Sequence, residues 1–315
     1  MPSVLPTQNI SEPIPPPALA AEGDEAHPGL GESLQEFNRR WWEKNPMTYD
    51  WARTLRVEVG SPEFFRQIDE RFFQSSKTFG HPRYPDQTPF AEVLDYEALR
   101  GRPVLEIGCG AGGQAATFAR QGVRLFALDI TEPAVRLTRR RFDLEGLPGH
   151  IQRGDAERLA FADDCFDLVW SWGVIHHTAD IGRAVSEIHR VLKPGGAANV
   201  MVYHRHSLRN WIHGGLAHGL LRGKLLRMSY DEVLKSVTDG YIARQMTHGE
   251  ARELFKEFRS VATRLTDLSD LSHVPGYLLL NRALAGRVIS AEAKRRLDQA
   301  IMERWGWFLY IEAVK

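Results

Sequence analysis

Val104-Leu105-Glu106-Ile107-Gly108-Cys109-Gly110-Ala111-Gly112-Gly113 decides how the rest of the chain is read. An apolar strand runs into a glycine turn that opens a helix. Glycine is needed where the backbone bends sharply and approaches a ligand with no Cβ in the way. From Arg102 onward, segments with strand character alternate with segments of helical period. The pattern predicts strands at 103–107, 124–129, 149–153, 166–172, 196–203 and 260–266, with a last one over Trp307–Val314. It predicts helices at 112–121, 132–145, 180–192, 248–258 and 280–304. Such alternation is the mark of right-handed crossovers and a parallel sheet.

The glycine turn alone does not choose a ligand. Gly108, Gly110 and Gly113 also satisfy the spacing of dinucleotide-binding loops, and Asp129 at the end of the second strand would suit a ribose in either case. Glu106 separates the two. A carboxylate just before the turn repels a pyrophosphate and favours a cationic ammonium or sulfonium. Gly154-Asp155-Ala156 follows the third strand, where an acid can accept from an adenine amino group. Asp164-Cys165-Phe166-Asp167-Leu168-Val169 and Leu192-Lys193-Pro194-Gly195-Gly196 complete the ordered set.

Together these motifs, over residues 102–203, resemble the class I S-adenosylmethionine (SAM)-dependent methyltransferases, especially the group acting on quinones and natural products. The resemblance implies a Rossmann-like, seven-stranded, mostly parallel sheet flanked by helices, with the last strand antiparallel and SAM across the C-terminal strand edges. It implies that Glu106, Gly108, Cys109 and Gly110 line the methionine end of SAM. Asp129 and Ile130 would take the ribose, and Asp155 and Ala156 the adenine. Trp172 would lie near the reacting methyl group. The cofactor reading also includes Tyr49. Cys109 is read as a packed small residue in the turn, not a reactive thiol.

The substrate side is read from what leaves the fourth and fifth strands. His176 and His177 follow Trp170-Ser171-Trp172-Gly173-Val174-Ile175; either could deprotonate a substrate nucleophile, or hold the loop instead. Tyr203, His204, Arg205 and His206 leave the fifth strand. His204 is a further candidate base, and Tyr203, Arg205 and His206 are candidate substrate contacts. Arg205 and Arg209 could meet an anionic substrate group or be solvated charge. His204, His206, His213 and His218 are close in sequence, but no carboxylate lies among them, so no metal site is expected.

The regions outside the motif core read as covers. Residues 1–30 are rich in proline and read as a disordered arm. Residues 31–101 read as a helical lid: Leu34, Phe37 and Trp41 share a helix face, and a second helix starts at Ser61-Pro62 with a Phe65, Ile68, Phe72 stripe. Between them, Tyr49 and Trp51 are placed to fold over the strand edges, with Trp51 against substrate. Residues 102–315 form the SAM-binding domain. Residues 207–245 read as a helical cap inserted after the fifth strand, striped by Leu208, Trp211, Ile212, Leu216 and Leu220 and loosened by Gly214, Gly215 and Gly219.

Composition limits the partners. The 315 residues carry 40 Lys+Arg against 40 Asp+Glu, and the one basic stripe, Arg222, Lys224 and Arg227, is weak, so a phosphate backbone is disfavoured as partner. With 43% hydrophobic residues, the chain can bury a full core. Cys109 and Cys165 are the only cysteines and cannot build a disulfide framework. No leader-like segment and no apolar run of spanning length is read. The expectation is a cytoplasmic enzyme, monomer or homodimer, with a small-molecule substrate, SAM as cofactor, and neither nucleic acid nor membrane as partner. Two rivals are a protein or RNA methyltransferase and a protein that binds SAM without transferring methyl.

Overall fold

The computed structural model describes residues 32–44, 57–75, 88–236, 238, 240–266 and 290–315. The expected arm at 1–30, the segment carrying Tyr49 and Trp51, and the stretch 280–289 of the expected late helix lie outside the described residues. Within them, the apolar runs form one sheet. Its strands are β1 (Pro103–Ile107), β2 (Arg124–Asp129), β3 (His150–Arg153), β4 (Phe166–Trp172), β5 (Leu192–His204), β6 (Gln245–Met246), β7 (Ser260–Thr266) and β8 (Phe308–Val314). Their order is β3-β2-β1-β4-β5-β8-β7, with β6 paired to β5 beside that path. Strands β1 to β6 pair in parallel, and β8 runs antiparallel to both β5 and β7.

The expectation of seven strands holds for the main path and is corrected by β6. That two-residue strand lies at the end of the segment read as a helical cap. It pairs Gln245 with Tyr203 and Met246 with His204. Two residues are too few to show an alternating pattern. β5 also begins earlier than expected, at Leu192, because Lys193-Pro194-Gly195-Gly196 continues into the ladder beside β4 with a shift in register.

Helices α1 (Leu34–Lys44), α2 (Pro62–Ser75) and α3 (Tyr96–Leu99) precede the sheet. Helices α4 (Gly113–Arg120), α5 (Glu132–Glu145) and α6 (Ile181–Val191) make the crossovers between parallel strands. The start of α5 is set by its sequence: the Thr131 side chain accepts from the Ala134 N–H, proline occupies the first turn, and Gly146 ends the helix in the left-handed region. Helices α7 (Tyr230–Lys235), α8 (His248–Leu254) and α9 (Ala291–Trp305) follow. No helix among the described residues is long and apolar enough to cross a membrane.

Side chains alternate across the sheet, so it has two cores. Leu105, Ile107, Val169, Val200 and Val202 pack toward α6 and α8 on one face. Val104, Leu168, Trp170, Trp172, Met201 and Tyr203 pack on the other, with α4, Phe73 and Phe90. Glu106 falls on this second face by the same alternation.

The segment read as a cap is helical, but only its last helix, α7, is α-helical. Asn210–Leu221 winds as a π-helix, a one-turn 3₁₀ segment follows at Lys224–Leu226, and α7 closes the unit. The expected buried stripe does not bury: Trp211, Leu216 and Leu220 are 51%, 48% and 66% exposed. The inward face carries glycine instead. A Cβ on Gly214 would sit 2.4 Å from Leu234, so the glycine lets α7 lie close.

Candidate functional site

Strand order reverses between β1 and β4, and a crevice opens there at the C-terminal strand ends. The glycine turn occupies it. Gly108 and Cys109 both donate to the Leu128 carbonyl, tying the turn to β2. A Cβ on Gly108 would lie 2.2 Å from the Val174 side chain, and its φ is +82°, so only glycine fits. Gly110 differs. Its φ is +53°, yet nothing lies within 4 Å of where its Cβ would be. That side of the turn is open.

Three carboxylates ring the turn. Glu106 is buried, and its Oε2 has no hydrogen-bond partner. Burial, with Asp129 nearby, pushes its carboxyl well above the ordinary value. Asp129 accepts from the Gly110 N–H at 3.1 Å, and from the Thr131 N–H and hydroxyl at 2.9 and 2.8 Å. Asp155 accepts from the Glu157 N–H at 2.9 Å and from Gln35 Nε2 at 2.8 Å. Beside Asp155 a cleft of about 470 Å³ is lined by Gln35, Arg39, Ile130, Arg153, Gly154 and Arg158. Ala156 is buried next to it. An orphaned buried carboxylate oxygen and an open glycine lie at the turn, and a cleft edged by an acid lies beyond Asp129, at Ile130 and Asp155. This donor set fits a ligand with a cationic end, a diol and an adenine.

The other half of the site is an aromatic cluster packed in the sheet's second core. Phe90 meets Trp170 and Trp172 at 4.8 Å between ring centroids, and Trp170 stacks on Trp172 at 5.5 Å. Trp172 also approaches Phe308 at 6.0 Å. Tyr203 stacks on Trp307 at 4.9 Å. The Arg209 guanidinium lies 4.2 Å above the Trp307 ring.

The β4 exit joins the two halves. Ile175–His177 forms a 3₁₀ turn, with Val174 packed on Gly108 and both histidines buried. The His176 ring is 4.0 Å from that of His177 and 4.3 Å from Tyr203. Neither nitrogen of His176 has a hydrogen-bond partner. His177 Nδ1 is 2.5 Å from the Ile242 carbonyl, which fixes the proton on Nδ1 and leaves Nε2 as a buried acceptor without a partner. Burial, partly offset by the Ile242 carbonyl and reinforced by Arg244, lowers His177 to about 4. His176 is lowered as well, by burial and then by His177 and Arg244. Burial thus favours the neutral form of both rings and makes their protonation costly.

Not every expected residue gathers here. His204 lies on the opposite sheet face from Tyr203. Its Nδ1 is 3.0 Å from the Gly306 carbonyl, its ring is 5.8 Å from His248, and burial lowers it to about 4. Arg205 is engaged by Glu250 of α8 at 2.8 Å and by the Gln245 carbonyl. His206 is exposed and faces Trp211 at 6.2 Å. These three lie at the β5–α8–cap junction; Arg209 is the arginine set beside the aromatic rings. Among the described residues, no group of three or more His, Cys, Asp or Glu is arranged to hold a metal.

Several residues around the site escape sequence reasoning. Gln35 of α1 spans the crevice, donating to Asp155 and accepting from the Ala179 N–H at 3.1 Å. Asn38 donates to the His177 carbonyl at 2.8 Å. Trp42 meets the His177 ring edge at 5.0 Å. Arg244 donates to the carbonyls of Thr178 and Ala179. On the other flank, Asp69 of α2 and Arg141 of α5 form a buried ion pair, and Arg141 also donates to the Ala111 carbonyl at 3.3 Å. The heptad-like stripe of α1 marked its apolar face only; its polar positions carry no signal of distant partners.

Residues 105–200 match the family described as a methyltransferase domain. The chain is 29% identical over 281 residues to Methyltransferase GfsG of Streptomyces halstedii, covering 80% of this chain and 92% of that one. It is 39% identical over 100 residues to phthiotriol/phenolphthiotriol dimycocerosates methyltransferase 1 of Mycobacterium ulcerans. That match takes in 31% of this chain and spans 36% of the relative's length. Among solved structures, phosphoethanolamine N-methyltransferase 2 of Haemonchus contortus in complex with SAM is similar in fold. Its TM-score is 0.50 at 20% identity, covering 90% of this chain and 60% of that one.

Proposed function

Because this chain carries a class I SAM-dependent methyltransferase domain, we propose that it moves the methyl group of SAM to an oxygen, nitrogen or carbon atom of a small molecule of secondary metabolism. The observation that carries this is the junction at Gly108 and Val174, where the carboxylates at the glycine turn meet a packed aromatic cluster through the His176–His177 turn. Small-molecule relatives such as the dimycocerosates methyltransferase support the acceptor class.

Glu106 would hold the ammonium end of SAM, Asp129 the ribose hydroxyls, and Asp155 with Ala156 the adenine. Bound there, SAM supplies a methyl group on a sulfonium leaving group, so the reaction needs alignment more than activation. Fixing two reactants in line contributes about 7–11 kcal/mol. Phe90, Trp172, Tyr203 and Trp307 would hold an apolar or ring-bearing acceptor by its body. Neutral His176 or His177 would accept the proton of an acceptor hydroxyl or amine. Helix α1 and the cap would exclude water, since Gln35 and Asn38 already close over Asp155 and the His177 carbonyl.

A panel of phenols, amines, hydroxylated polyketides and lipids, read by S-adenosylhomocysteine release, tests the proposal. Turnover on an apolar member, lost in His176→Ala and His177→Ala at unchanged SAM affinity, is expected. Tight SAM binding without turnover on any member would replace transfer with binding alone.

A further inference from the structure

Exposed large apolar side chains are not scattered over this protein. Of the ten among the described residues, six lie between Trp211 and Leu226. They are Trp211, Leu216, Leu220, Leu221, Leu225 and Leu226, and the last is 89% exposed. The π winding puts them together. In a helix bonded i to i+5, residues four and five apart share a face, and 211, 216, 220 and 221 follow that spacing. The inward face holds buried Asn210, Gly214 and Gly219, against which α7 and Leu225 pack. The apolar face is therefore a built feature of the cap, not a frayed core. Contiguous patches of this kind mark interaction sites.

Charge tells what covers it. Residues 205–230 contain no Asp or Glu, although the whole chain balances 40 cations with 40 anions. Arg222, Lys224 and Arg227 stand among the leucines. Arg222 lies beside His218, and Lys224 donates to the Ser236 hydroxyl at 2.8 Å. None of the three pairs with a carboxylate among the described residues. A tryptophan and leucines rimmed by Lys and Arg are the make-up of a segment that lies in the plane of an anionic bilayer. A second copy of the chain fits less well: a twofold contact centred on the patch would set these three cations against their own equivalents, the next acids along the chain being Asp231 and Glu232 of α7.

We propose that the cap, residues 210–227, is a docking face for an anionic membrane surface. The leucines enter the headgroup boundary, and Arg222, Lys224 and Arg227 meet lipid phosphates. Arg209, the residue just before this segment, lies over Trp307 of the aromatic cluster. Docking would thus bring the cluster beside the bilayer, where an apolar acceptor concentrates. The inference goes beyond the methyl-transfer reading and does not depend on it, since binding is read without SAM or substrate.

The test uses the full chain and sedimentation with phosphatidylcholine vesicles, with or without phosphatidylglycerol. Binding to the anionic vesicles, weakened by salt, is expected, with little on phosphatidylcholine alone. Leu221→Glu/Leu226→Glu should reduce vesicle binding by at least about tenfold, and Arg222→Glu/Lys224→Glu should do the same. These side chains are exposed, so melting temperature and SAM affinity should match the parent. Failure of the parent to bind anionic vesicles at low salt would overturn the proposal. So would binding that neither double variant weakens. A concentration-dependent dimer abolished by Leu221→Glu/Leu226→Glu, without vesicle binding, would assign the face to a second copy instead.

Discussion

Glu106 is a carboxylate that the fold places at a cost. It is buried, one oxygen has no partner, and its proton is held more tightly than in water. A cationic ligand end removes that cost by supplying the missing charge. Glu106→Gln is therefore expected to weaken SAM binding by about 1.5–3 kcal/mol, or roughly ten- to a hundredfold, by calorimetry. The sign of the pH effect follows. A carboxyl raised in the folded state makes the unliganded protein less stable as pH climbs from its ordinary 4.5 through the raised value. Over the same window SAM should bind more tightly as pH rises, and Glu106→Gln should flatten that slope. His177 works the other way. Its folded value of about 4 lies below the ordinary 6.5, so its contribution to stability is present above 6.5 and lost as pH falls through 4. The loss amounts to roughly 3 kcal/mol, and a denaturation series should show the acid-induced fall in stability smaller by about that amount in His177→Gln, where His176 and His204 still titrate, than in the parent.

At the level of elements, the crossovers were legible because buried parallel strands read as uninterrupted apolar runs with glycine and cap residues between them. β1, β2, β4, β7 and α5 begin and end where those signals stand. β6 was not legible, having no room for a period. The π winding was not legible either, because Trp211, Leu216 and Leu220 also fit an α-helical stripe. The three carboxylates could be named from position along the strands. The clasp over them could not, since the partners of Gln35 and Asn38 lie 120 and 139 residues away. The α2–α5 pair is of the same kind. Arg141 reaches Asp69 and Glu145 and also holds the Ala111 carbonyl of the glycine turn. Removing one partner of a buried pair leaves the other charge stranded, so Asp69→Ala should cost about 3–5 kcal/mol by denaturant titration. Replacing Asp69 and Arg141 together by apolar residues should recover much of the stability. SAM affinity should stay reduced, because the tie to Ala111 goes with Arg141.

At the scale of the molecule, stability should report whether the proposed SAM site is filled. SAM at a hundredfold excess over its dissociation constant should stabilise the fold by about 2.7 kcal/mol, seen as a higher melting temperature. NAD should leave it unchanged, because Glu106 faces the place a pyrophosphate would need. Nucleic-acid recognition had no support in total charge, and membrane contact had none in segment length. The cap shows why such totals mislead: a balanced chain can gather cations in one acid-free stretch, and the folded form shows that the leucines among them stay exposed.

The place of β8 also constrains how the chain assembles on the ribosome. β8 lies between β5 and β7 and makes antiparallel ladders with both. Yet β7 leaves the ribosome first. While residues 267–307 are being made, β7 has no ladder to join, and the β5 edge stands open along Ala197–Tyr203. At about 5–20 residues per second, that exposure lasts seconds. Open strand edges recruit other strands. The short β6 ladder covers only Tyr203 and His204 in the meantime. A nascent chain stalled before Phe308 should therefore be sticky and protease-sensitive in its β7 region, whereas the β3-β2-β1-β4 half, complete by then, should already resist digestion.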